Sequence, residues 1–230
     1  MEEEGKTFDS ILKSLIEKGP LKIDVYQKTE SAFNQLRVIL KNLESELTKS
    51  MSKIDNRVII KYSERGPFDL EFKISDDILI FCMHTDTYTF HNSHPLWKTS
   101  YLSEKNPNAY CGMISVYNFL TDSLKYNRMN DVGVLVARIF INRENHFFVE
   151  GKKQLGIQFN SFDTDVLTES RLREIAETAI LHTLNFDIFT PPFEQAKIIS
   201  VQELIDKNLA SVVSTGKRLG FKFQADTDIT

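Results

Sequence analysis

Asp69, Glu71 and Lys73 stand at alternate positions in the segment FDLEFKI. On an extended chain such side chains share one face, about 6–7 Å apart. Two carboxylates and an ammonium so placed are the residue types of a magnesium-dependent nuclease or hydrolase. The carboxylates would hold the cation and the lysine would assist the attacking water. The surrounding order of elements is comparable to that of restriction-nuclease-like folds. In those folds the first acidic residue usually stands on the strand before the E-x-K pair. Here all three residues share one strand. A wet outer face of an antiparallel sheet gives the same alternation with no chemistry, and that is the reading the sequence favours.

His84, Asp86, His91 and His94 follow in quick succession. His84-x-Asp86 converges only on an extended chain. His91 and His94 converge only on a helix, and Pro95 disfavours helical backbone at His94. The two halves need different backbones and fit no zinc spacing, so no metal is expected. Cys111 precedes Gly112 at the start of a predicted helix, a position that lowers a thiol pKa. A lone cysteine there is more often a small packing residue. The chain has no G-x-S-x-G, no glycine-rich phosphate loop and no C-x-x-C, so no cofactor is expected.

Binding surfaces are the stronger expectation. The stretch from His91 to Tyr110 is long and aperiodic, and such loops usually serve a purpose. His91, Trp97, Tyr101 and Tyr110 are its candidate ligand-facing residues, joined by Phe189 and Phe193 of the aromatic connector NFDIFTPPFEQAK. That many aromatics need cover, either from the sheet or from a partner.

The elements that must position these residues follow from periodicity. Phe8, Ile11, Leu12, Leu15 and Ile16 have helical spacing. Gly19 and Pro20 are expected to end that helix. A second helix is expected from Val25 to Ile54, where Tyr26, Phe33, Leu40, Leu47 and Ile54 recur in heptads. Leu36 and Leu43 fill the intermediate positions and Thr29 and Ser50 do not. Phe33, Leu36, Leu40, Leu43 and Leu47 are the candidate interface of a coiled-coil homo-oligomer. Ile39 widens the stripe, which also suits packing on the chain's own domain.

Strands are expected at RVIIKY, FDLEFKI, ILIFCM and TYTF, a helix at GMISVYNFLTDSLKYN, and strands again at DVGVLVARIFIN, FFVEG and LGIQF. A helix follows at LTESRLREIAETAILHTL. Another opens at the capping box of Ser200 and Glu203 and runs to about Val213, and RLGFKFQ adds a short strand. The fold class is therefore α+β: an antiparallel sheet of about five to seven strands in two meanders, helices packed on one face, and a long N-terminal helix. Residues 1–54 form a helical segment and residues 55–230 an α+β domain, the two making one folding unit.

Composition bounds the function. In 230 residues, 41% are apolar and 26% charged, so a packed core is expected. The net charge of −4 is interspersed, so a nucleic-acid partner is not expected. The acidic start MEEEGK is unlike a secretory signal, and no apolar run approaches a membrane span. The two cysteines suit reduced thiols in a cytoplasmic protein. The sequence thus predicts a non-catalytic interaction protein, scaffold or chaperone-like, that binds a protein partner or itself. The small acidic chaperones of type III secretion have a comparable order of elements. The alternatives are the metal-dependent hydrolase and a small-molecule sensor with its pocket between sheet and loop.

Overall fold

The computed structural model describes residues 2–99, 101–102, 107–126, 131–152 and 154–186, with 193, 198 and 201. It opens with one helix, α1, Glu2–Met51. Its length is about 75 Å at 1.5 Å per residue. The expected break at Gly19 and Pro20 does not occur: Pro20 lies inside the helix. A proline there forfeits one backbone hydrogen bond and crowds one carbonyl. Residues 7–18 are exposed on every side, so water can satisfy what the proline leaves. From Leu21 onward the helix is held by burial. Leu21, Val25, Ala32, Phe33, Leu36, Ile39, Leu40 and Leu43 are all buried, at the three- and four-residue steps of a single face.

Six strands follow: β1 Ile60–Gly66, β2 Asp69–Ile74, β3 Asp77–Met83, β4 Cys111–Leu120, β5 Val134–Asn142 and β6 Phe147–Gly151. They form one antiparallel sheet in sequence order, so the two expected meanders are one. The join is β4, where a helix was expected. Its burial is almost continuous, as in a central strand covered on both faces. Only Thr121–Lys125 behind it is helical (α2). LGIQF is likewise not a strand but the short helix α3, Gln154–Gln158. Of TYTF, only Tyr88 pairs, in a bridge to Cys111. Helix α4, Glu169–Leu184, is as expected, capped by the Thr168 side chain accepting from the Arg171 N–H. The last expected helix, the strand RLGFKFQ and most of the aromatic connector lie outside the described residues.

Alternation sorts each strand's side chains between two cores. Leu70 and Phe72 of β2, Phe81 of β3, Ile114 and Val116 of β4, and Ile139 of β5 face α1 and α4 in the main core. Phe33, Leu36, Leu40 and Leu43 are spent there too, with Leu47 partly buried against it. The heptad positions assigned to a second copy thus cover the chain's own sheet. Stripe width decides this, because two lines of apolar residues suffice for a dimer seam whereas a sheet needs the broader face that Ile39 supplies. A second core lies across the sheet, where Leu96, Leu102 and Ala109 of the long loop pack on Met113, Phe140, Phe148 and Phe162.

Candidate functional site

The helix-free face of the sheet carries a transverse row of polar residues. Asp69 pairs with Cys82, Cys82 with Ser115, Ser115 with Arg138, and Arg138 with Glu150. Cross-strand partners project to the same side, so five strands contribute one residue each. The long loop closes the row at one edge. The His84 ring Nε2 lies 3.1 Å from the Ser115 hydroxyl, and the His94 Nε2 lies 3.4 Å from Glu150 Oε1. The Arg138 guanidinium donates to the other oxygen of Glu150 and sits over the Phe140 ring. The Arg138 Nε is buried without a partner.

The chemistry of this row is subdued. Burial pushes the Cys82 thiol up to about 12, and its hydrogen bond to Asp69 adds to the shift. It is therefore no nucleophile near neutral pH. The thiol of Cys111, expected to be acidic at a helix start, opens β4 and is raised by burial. Ser115 beside His84 has the residue types of a nucleophile and its base, but Ser115 is only 1% exposed. Among the described residues no carboxylate holds the other nitrogen of His84, so the orienting third group of a triad is missing.

Asp69, Glu71 and Lys73 do share the helix-free face, half-buried, as their alternation required. Their partners differ. Asp69 is engaged by Cys82. Glu71 is 3.5 Å from Arg65. Lys73 stands between Lys61 and Ile78 of the neighbouring strands. Among the described residues no three His, Cys, Asp or Glu side chains are grouped as a metal ion requires.

The loop residues are used for packing and for turns. The Trp97 indole N–H donates to the His91 carbonyl at 3.0 Å, and its ring packs on the second core. His91 itself is exposed, with its Nδ1 2.8 Å from the Ser93 hydroxyl. Tyr101 stacks on His146 at 4.6 Å and donates to Glu144 at 2.7 Å. Burial first, then Glu144, pushes its phenol up to about 12. Tyr110 is half-buried just after the 3-10 turn Pro107–Ala109, its N–H bonded to the Pro107 carbonyl. Phe193 is exposed and Phe189 lies outside the described residues.

Sequence reasoning passed over Asn142, which is fully buried and holds this corner together. Its amide donates to Tyr101 and to the Asn108 carbonyl, and its oxygen accepts from the Glu144 and His146 N–H groups. It also passed over Ser115, Arg138 and Glu150. Their signal was the strand period of β4, β5 and β6, hidden in β4 by an accidental helical spacing.

The other unusual surface is the exposed first part of α1, residues 7–18. Phe8, Ile11, Leu12, Leu15 and Ile16 are 46–65% exposed. No described helix is long and apolar enough to cross a membrane. No family model, no curated protein and no solved structure matches this chain.

Proposed function

We propose that this chain is a non-catalytic interaction protein whose docking element is the exposed first part of α1. One observation carries the reading. A helix segment wet on all sides has five large apolar side chains on one stripe, at a direct cost in solvation. A solvent-bridging helix is ordinarily polar all round. The stripe is explained if another apolar surface covers it. The hydrolase alternative has weaker support, because Asp69 is engaged by Cys82 and Glu71 by Arg65, and no cluster of ligands forms around them among the described residues. A small-molecule sensor also has weaker support, because the loop expected to roof its pocket is packed into a core of its own.

The test is a photo-reactive residue placed at Leu15, with one at Lys73 as control. Adducts to a protein from position 15 and none from position 73 are expected. Absence of any adduct at 15 overturns the proposal. So does magnesium- or manganese-dependent cleavage of nucleic acid that is lost in Glu71→Ala.

A further inference from the structure

We infer that Gly19 and Pro20 make a hinge in α1, about which the wet segment before them swings while the sheet holds the helix from Leu21 onward. The hinge is a property of the backbone at those two positions and holds whatever covers the apolar stripe.

Proline and glycine are the two poorest helix formers, and α1 carries them side by side. Pro20 has no N–H to offer the Ile16 carbonyl one turn back, and its ring crowds that carbonyl. Sharp bends in helices fall at such residues. Gly19 adds the backbone freedom of a residue without Cβ. Packing gives no reason for a glycine there, because a Cβ built on Gly19 meets nothing within 4 Å.

This weak point falls at a mechanical boundary. Residues 7–18 ahead of it are exposed without exception. Behind it, Leu21 is 5% exposed and Val25 is fully buried. Further on, Thr29 lies hard against Gly112 of β4. Burial thus fixes one side of the junction and not the other. The helical bonds that span the junction run from the N–H groups of Gly19, Leu21 and Lys22 to the carbonyls of Leu15, Glu17 and Lys18. Those three carbonyl residues are exposed, so water replaces each bond that bending opens.

The hinge also has something to turn. Residues 2–18 make an arm of about 26 Å at 1.5 Å per residue. At 100° per residue, the exposed stripe of residues 8–16 centres roughly 100° around the helix from the buried stripe of residues 21–43. A rigid straight helix would hold the exposed stripe in that one sideways direction. Rotation and bending at residues 19 and 20 let it face others while the buried stripe stays seated on the sheet.

Paired spin labels on the full chain test this in a Cys82→Ser background, where Cys111 is fully buried and out of a label's reach. One pair joins the arm to the sheet, Lys13→Cys with Asp76→Cys. The other joins the anchored helix to the same point, Lys28→Cys with Asp76→Cys. All three positions are exposed. The distance distribution from position 13 should be several-fold wider than that from position 28. Gly19→Ala with Pro20→Ala should narrow the first to the width of the second and leave the second unchanged. Both replacements favour helix and face water or open space, so the variant keeps its fold. In hydrogen exchange the same variant should slow the amides of residues 19, 21 and 22 about tenfold or more, as restored helix propensity requires, with residues 29–43 unchanged. Equal, narrow distributions in the unmodified chain overturn the hinge, because α1 is then a rigid rod. A wide distribution that stays wide in the double variant also overturns it, because the arm then frays along its length. The photo-reactive residue at Leu15 reads the docking role and not the hinge, so the two claims fail separately.

Discussion

Thr29 of α1 and Gly112 of β4 touch so closely that a Cβ built on Gly112 would fall 2.0 Å from the Thr29 hydroxyl oxygen and 2.9 Å from its Cβ. Thr29 is buried, and its hydroxyl is satisfied within the helix by donating to the Val25 carbonyl at 2.8 Å. This is where the long helix crosses the centre of the sheet. The contact explains why Thr29 breaks the heptad: a larger apolar residue has no room above β4. Gly112→Ala should therefore destabilise the fold by about 1–3 kcal/mol through overpacking. Urea denaturation of Gly112→Ala, alone and with Thr29→Ala, checks it. The double variant should recover part of the loss, because the 2.0 Å clash is gone while the Cβ contact remains. No loss in the single variant would mean that the helix stands off the sheet.

Ser75 joins β2 to β3 with φ of 55°. Tight hairpins need positive φ at a central turn residue, and glycine provides it without strain. The Ser75 side chain is exposed, and the residue's N–H bond to the Ile59 carbonyl is available to any non-proline residue. Ser75→Gly should leave every contact in place and stabilise the protein by roughly 0.5–1 kcal/mol, less the extra freedom of glycine in the unfolded chain. A thermal melt of the two proteins side by side measures the difference. Destabilisation would show that the backbone there is not strained.

The parts of this fold that could be read in advance are those with one wet face. β2 alternates Leu70, Phe72 and Ile74 with Asp69, Glu71 and Lys73, and α4 places Leu172, Ile175, Ala176, Ala179 and Ile180 on one stripe. In both, water on one side imposes the period. β4 is buried on both faces, so Ile114, Tyr117 and Leu120 reached helical spacing by chance, and periodicity could not expose the error. The helix runs on through Pro20 for a related reason: proline lowers helix stability, yet tertiary burial of Leu21 and Val25 fixes the helix beside it. The transverse row from Asp69 to Glu150 was invisible because its members are joined only by the register of five strands, which no periodicity along the chain encodes.

The two cysteines should be nearly inert in the folded protein. Cys111 is fully buried, and burial followed by Asp69 holds the Cys82 thiol up at about 12. Alkylation by iodoacetamide near pH 8 should be slow at both and become fast in urea, where ordinary thiol acidity returns. Asp69→Asn removes the smaller cause of the Cys82 shift. It should raise the native alkylation rate of Cys82 modestly and leave Cys111 unchanged. An equal rise at both cysteines would signal general loosening of the fold.

Arg173 of α4 clamps Glu46 of α1 with two hydrogen bonds, Nη2 to Oε2 at 2.5 Å and Nη1 to Oε1 at 3.1 Å, while its Nε donates to Glu177. The hydrogen bonds from Arg173 hold the Glu46 carboxyl below its ordinary 4.5. A carboxylate whose folded pKa is lowered contributes stability that is fully present above the unfolded value. That contribution is lost as pH falls through the lowered folded value. The clamp should thus support the packing of α4 on α1 at neutral pH and fail in acid. Glu46→Gln removes the charge and leaves the shape. Its urea midpoint should lie below that of the unmodified protein at pH 7, and the two should converge as pH drops below 4.5. Both ends of the pair are partly exposed, so added salt should narrow the gap at neutral pH by screening. Midpoints that stay parallel from neutral to acid would show that the clamp adds nothing to the fold.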